Sequence, residues 1–266
     1  MNINVEKHLC SNNKMNMAIS RITESINSGK KVVVYGYHDL DSVMGISLLL
    51  LLIKYFNGKV EYFIPSNEHA NEISKEEING NCKFIDADLI LTVGVGYKPY
   101  KCSDIGIDII STNFNDYEDY NNLKAISCYK LGEAICNYYG TTTVKKYLDL
   151  VMIGTIYQNI NLTSDIKDLI GQGCRKINNT NNIGIKALLK ENNIESISYE
   201  KISDVVYSLV KKSKAVSKID NAKIAVELFT TCDKYRALQI AKYFNKGEKQ
   251  ENVFLKEIII NNLNKL

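Results

Sequence analysis

Proline and histidine are scarce in this chain, and each scarcity narrows what it can be. Only Pro65 and Pro99 occur, so no proline-rich linker marks a domain boundary. Of the three histidines, His8, His38 and His69, none lies in the later part of the chain, so any site built there lacks imidazole as base or ligand. Seven cysteines, Cys10, Cys82, Cys102, Cys128, Cys136, Cys174 and Cys232, form no C-x-x-C pair, which argues against a zinc ribbon or a thioredoxin-type centre. Odd in number and scattered, they read as small core residues in a reducing compartment. Charge of one sign is not in excess: 33 basic against 30 acidic residues gives a net charge of +3, and no global field argues for nucleic acid. Long apolar runs are missing as well. The stretch Ile46–Ile53 is interrupted by Ser47 and followed by Lys54, well short of the ~20 residues that span a bilayer. Met1–His8 has no apolar signal core. The expectation is a soluble cytoplasmic protein with no membrane contact.

What is present is ordinary globular material. With 266 residues, 45% hydrophobic and 24% charged, the chain can build one large α/β domain or two small ones. Apolar residues at Met17, Ile19, Ile22 and Ile26 predict an amphipathic helix over Asn13–Ser28, closed by Gly29. Strands are predicted at Val32–Tyr35, Val60–Ile64, Asp88–Val93 and Ile107–Ser111, with a largely apolar helix, Val43–Phe56, between the first two. Alternation of strand and helix predicts a parallel sheet covered on both faces. From Lys124 the helical period takes over. Helices are predicted at Ala125–Tyr139, Val144–Ile156, Ile166–Ile177, Ile183–Glu191, Ile202–Val216, Ala222–Phe229, Lys234–Asn245 and Lys249–Leu263. The fold class expected is α/β, a parallel sheet of about five strands with flanking helices, followed by a helical half. The core with its helical part takes residues 1–200, and 201–266 form a helical segment whose last helix projects away.

The strand Lys31–Gly36 empties into Tyr37-His38-Asp39-Leu40-Asp41-Ser42. Asp39 and Asp41, spaced i, i+2, project on one side of the chain at the carboxyl end of a buried strand, where α/β proteins build their sites. Such a pair suits a hard divalent cation. It equally suits hydrogen bonds to turn amides and to the amino end of the next helix. Lys211, Lys212, Lys214 and Lys218 form either a phosphate grip or a solvated helix face. Gly94-Val95-Gly96 is too short for a phosphate loop and reads as a tight turn. Tyr35, Tyr37, Tyr97, Tyr100 and Tyr157 fall at or near strand ends, where aromatics stack bases or plug a cavity.

Taken together, the segment Met15–Leu50 resembles the opening of the RecJ-like branch of the DHH phosphoesterases, in which a helix and a strand lead into a Gly-Asp-Tyr-Asp-Ala-Asp-Gly turn. The resemblance continues through Val60–Pro65, Ile90–Gly96, Gly106–Asn115 and Tyr147–Leu162, with weaker echoes at Gly184–Leu189 and Ala222–Phe229. It implies a DHH-type core and, for the family, cleavage of phosphodiesters with a cluster of Mn²⁺ or Mg²⁺ ions. In RecJ it implies attack from the 5′ end of single-stranded DNA. Carried over position by position, the family's first motif Asp falls on Tyr37, while Asp39 and Asp41 remain. The second-motif Asp falls on Gly94, the Asp-His-His of the third on Asn113, Phe114 and Asn115, and the fourth-motif Asp on Gln158. His38 takes the spacer position, its side chain directed away from the carboxylates. The family's DNA-lining segment falls on Lys212–Lys218, where Lys212, Lys214 and Lys218 keep the charge. No DHHA1 domain is expected beyond the last helix.

A centre holding two divalent ions about 4 Å apart needs several anionic oxygens and imidazoles, and six of those donors are replaced. The reading that follows is a catalytically degenerate RecJ-like protein, a non-enzymatic binding or regulatory subunit in DNA replication or repair, with a protein partner or a second copy bound through the last helix. It needs no cofactor. Two alternatives stay open: a divergent phosphoesterase holding Mn²⁺ or Mg²⁺ on Asp39 and Asp41, and a non-catalytic single-strand binder.

Overall fold

The protein is described from a computed structural model covering residues 3–65, 72–82, 85–97, 107–112, 123–158, 162–195, 198–213, 218–245 and 253–266. In chain order the first elements are α1 (Ile3–Asn27), β1 (Lys31–Gly36), α2 (Leu40–Tyr55), β2 (Lys59–Phe63) and β3 (Glu72–Ile73). A single turn α3 (Lys75–Glu77) runs into a π-helical turn, followed by β4 (Leu89–Val93), β5 (Gly96–Tyr97), β6 (Asp108–Ser111) and α4 (Lys124–Tyr138). The remainder is helical: α5 (Leu148–Thr155), α6 (Ser164–Ile177), α7 (Ile183–Glu191), α8 (Tyr199–Ser213), α9 (Lys218–Thr230), α10 (Lys234–Asn245) and α11 (Val253–Asn264). Packing divides the chain into two compact units, residues 1–37 with 48–144, and residues 38–47 with 145–266. The division falls at 144/145, whereas the sequence placed its boundary at 200/201.

In the first unit Val32, Val33, Val34 and Tyr35 are wholly buried, as the β-branched and aromatic run of a strand covered on both faces should be. β1 therefore sits inside a parallel sheet of order β2-β1-β4-β6, four strands among the described residues rather than about five. β3 and β5 form a separate two-stranded parallel pair, too short to leave a periodic signal. One face of the sheet buries Val33, Tyr35 and Ile90 with Ile73, Ile78, Val95 and Ile107. Tyr35 stacks on Phe63 with ring centroids 5.5 Å apart. α1 buries Ala18, Ile22, Thr23, Ser25 and Ile26. Met17, expected on that face, is 65% exposed, because the stripe runs through Ala18 one position on. Gly29 ends the helix at φ +67° in the left-handed conformation, letting the Lys30 N–H reach the Ser25 carbonyl at 2.9 Å.

In the second unit α5 and α6 lie side by side, with Gly173 at their closest approach. A Cβ there would meet the Leu148 carbonyl oxygen and Met152 Cβ. Asp149, at the start of α5, is 1% exposed and accepts the Thr180 hydroxyl at 2.5 Å and its own neighbour's Leu150 N–H at 2.9 Å. Burial drives its carboxyl above the ordinary value, against the lowering pull of those hydrogen bonds and of Lys176. Thr180 in turn accepts the Asn182 N–H. Asn182 caps α7 by accepting the Ile185 N–H at 3.1 Å, and its amide donates to the Phe229 carbonyl on α9. A buried polar chain thus joins α5, α7 and α9, and each donor in it has an acceptor.

The last helix does not project away. In α11, Ile259 and Leu263 are wholly buried, Asn262 is 3% exposed, and the helix packs along α8. The exposed docking helix expected from the sequence is thereby corrected: Ile259 and Leu263 of α11 are covered. Among the described cysteines Cys128, Cys136 and Cys174 are buried thiols and Cys232 is exposed.

Candidate functional site

Asp39 is the N-cap of α2. Its carboxylate Oδ1 accepts the Ser42 N–H at 2.8 Å while its backbone carbonyl accepts the Val43 N–H at 2.9 Å. That is the geometry by which a side-chain oxygen satisfies one of the four N–H groups a helix start leaves without a partner. Asp41 stands one residue into the same first turn and is wholly buried. Both carboxylates lie at the positive end of the helix dipole, which favours anions there.

Tyr157, one of the aromatics the sequence set near the strand ends, reaches this turn. The hydroxyl of Tyr157, just past the end of α5, accepts the Asp41 N–H at 3.3 Å. Burial raises the Tyr157 phenol above its ordinary pKa, and the charges of Asp39 and Asp41 beside it push in the same direction. The ring is therefore a neutral group set against both carboxylates. Ser42 adds a buried hydroxyl with no hydrogen-bond partner. Gln158, which the resemblance set at the family's fourth-motif Asp, follows Tyr157 half-buried. Its N–H donates to the Thr155 carbonyl at 3.0 Å. The carbonyls of Ile156 and Gln158 both accept hydrogens from the Asn262 side-chain amide, each at 2.9 Å.

His38, the spacer residue, is 7% exposed. In the first unit Tyr37 is half-buried and continues the β1–β4 ladder by donating its N–H to the Val93 carbonyl at 3.0 Å. Gly94, at the end of β4, is exposed and adopts φ +69°. Side chains rarely accept that conformation, and a substitution there costs about 1 kcal/mol. Asn113, Phe114, Asn115 and Lys214 lie outside the described residues. Lys212 falls in α8 and Lys218 opens α9, with their side chains outside the described part.

The two remaining carboxylates do not fit a centre for two divalent ions. Asp39 already holds the Ser42 amide, Asp41 is sealed, and the neighbour contributed by α5 is a neutral phenol rather than an anion. Among the described residues no three His, Cys, Asp or Glu side chains come together as a metal would require. No described helix is long and apolar enough to cross a membrane.

No family model matches the chain. Its sequence is 24% identical over 260 residues to the single-stranded-DNA-specific exonuclease RecJ of Bacillus subtilis, covering 89% of this chain and 32% of that protein. It is 22% identical to the RecJ of Dickeya dadantii, covering 84% of this chain and 45% of that protein. The chain thus spans less than half the length of these curated relatives. Among solved structures, the exonuclease RecJ bound to manganese superposes with a TM-score of 0.74 at 18% identity, over 87% of this chain and 64% of that one. RecJ of Thermus thermophilus in complex with Mn²⁺ gives 0.72 at 19% identity, over 88% and 37%. In sequence and in fold this chain is similar to RecJ, with which it shares a parallel sheet flanked by helices.

Proposed function

We propose that this chain is a catalytically degenerate RecJ-like protein that acts by binding rather than by hydrolysis, as a regulatory subunit in DNA replication or repair. One observation carries the reading. The two carboxylates that remain of the first motif are engaged in building the amino end of α2, and a neutral phenol lies against them where further anionic ligands would be needed. The substitutions at Tyr37, Gly94, Asn113, Phe114, Asn115 and Gln158 point the same way, since none supplies a carboxylate or an imidazole. Its partner is a protein or a second copy of the chain. A single strand held by Lys212, Lys214 and Lys218 would add a salt-dependent contribution.

The test is a calorimetric titration of Mn²⁺ into the metal-stripped protein. Silence up to millimolar Mn²⁺ is expected. Micromolar binding that vanishes in the Asp39→Ala, Asp41→Ala double variant would overturn the proposal in favour of a divergent metal-dependent phosphoesterase.

A further inference from the structure

The two carbonyls that accept from Asn262 bracket Tyr157: Ile156 precedes it and Gln158 follows it. Carbonyls at the end of a helix have no partner within it and must find one elsewhere. Here a single amide supplies both hydrogens, from a side chain that is 3% exposed, so water has no ready access to replace it. Ile259 and Leu263, wholly buried on the same helix, fix the register that brings Asn262 to this turn. The bracketed residue then presents its hydroxyl to the Asp41 amide.

We propose that α11 is a latch on the acidic turn, with Asn262 as its catch. While the helix is seated, Tyr157 is held at the head of α2 against the buried Asp41 and the half-buried Asp39; when the helix leaves, the turn loosens and Asp41 is uncovered. Access to Asp41 is then set by a helix more than a hundred residues away in sequence, from which Asn262 reaches Ile156 across a separation of 106. Any partner that takes the buried face of α11 for itself would open the acidic turn. The latch sets access whether or not a cation is what enters, and cation binding is tested separately by the Mn²⁺ titration.

Amide hydrogen exchange on the full chain, followed by NMR, tests the latch. Asn262→Ala should speed exchange of the Asp41 and Gln158 amides roughly ten- to a hundredfold while leaving α7 and α10 as in the parent. Asn262→Asp keeps the shape but, when ionised, offers no hydrogen; it should match the alanine variant at neutral pH and regain protection when acid restores a donor. Tyr157→Phe should speed the Asp41 amide alone, with α11 unchanged. The latch is overturned if, at neutral pH, the Asp41 amide keeps its protection in either Asn262 variant, or if Tyr157→Phe leaves it protected. It is also overturned if Asn262→Ala loosens α7 and α10 to the same extent, which would make Asn262 an ordinary core residue.

Discussion

Replacing Asp39 separates a structural carboxylate from a ligand held ready for a metal. Residues retained for a reactive site are commonly a burden on stability, and their removal tends to stabilise. A helix cap behaves oppositely. The Asp39 Oδ1 contact with the Ser42 N–H is 2.8 Å long and forms part of a buried turn. Losing an Asp N-cap to Ala costs about 1 kcal/mol, within a range of roughly 0.5–2 kcal/mol. The interaction of its charge with the helix dipole adds about 0.3–1 kcal/mol. Asp39→Ala should therefore lose about 1–2 kcal/mol, and Asp39→Asn, which keeps the accepting oxygen and discards only the charge, about 0.5 kcal/mol or less. Urea unfolding followed by circular dichroism measures both; α2 contributes to both units, so the loss registers in either. The reasoning fails if Asp39→Ala is as stable as the parent or more so. It also fails if the asparagine variant loses as much as the alanine one, because charge rather than the cap would then dominate.

Asp149 gives a pH test. Its folded-state carboxyl is raised, so the stability linked to its proton is fully present below the unfolded value of about 4 and is lost as pH rises through the folded value. Asp149→Asn should show no such loss, and unfolding curves of the two proteins should diverge as pH is raised; a constant offset at every pH would contradict the assignment. Ser42→Ala deletes a buried hydroxyl without a partner and should raise the unfolding free energy by up to about 1 kcal/mol, whereas a loss would mean the hydroxyl is bonded. Gly173→Ala should cost about 1–3 kcal/mol, since its Cβ meets the Leu148 carbonyl and α5 and α6 must part; a thermal midpoint equal to the parent's would mean that the helices are not in close contact.

Much of this architecture was legible from the sequence wherever a local rule and the tertiary environment agree. Ile183–Glu191 and Lys234–Asn245 emerge with the boundaries the periodicity predicts. For the first, Asn182 supplies a cap; for the second, the Asp233 carboxylate accepts the N–H groups of Tyr235 and Arg236. Val144–Ile156 read as one helix, yet its first turn, Thr143–Tyr147, is 3₁₀ and the α-helix begins at Leu148, a change of hydrogen-bond pattern that apolar spacing does not encode. The projecting last helix was misjudged because an apolar stripe does not say what covers it. Of the two readings the sequence left open for the i, i+2 carboxylates, the hydrogen bond to a turn amide is present at Asp39, while the phenol beside the pair left no local signal. The positions of Tyr157 and Asn262 depend on contacts 116 and 106 residues away in sequence. One asparagine in a chain this rich in them carries no signal of its own.

The left-handed backbone at Gly94 makes the history of this fold difficult to retrace. A main chain settled into a conformation suited to glycine admits a side chain only at a cost. On the reading proposed, restoring an aspartate there would strain the turn at the end of β4 without supplying a ligand set, because the other positions would still lack donors. Each single reversion is thus a cost without a benefit, and only several made together could restore hydrolysis. On that reading divergence runs in one direction: the scaffold is free to take partners along its surface, while the way back to hydrolysis closes behind it.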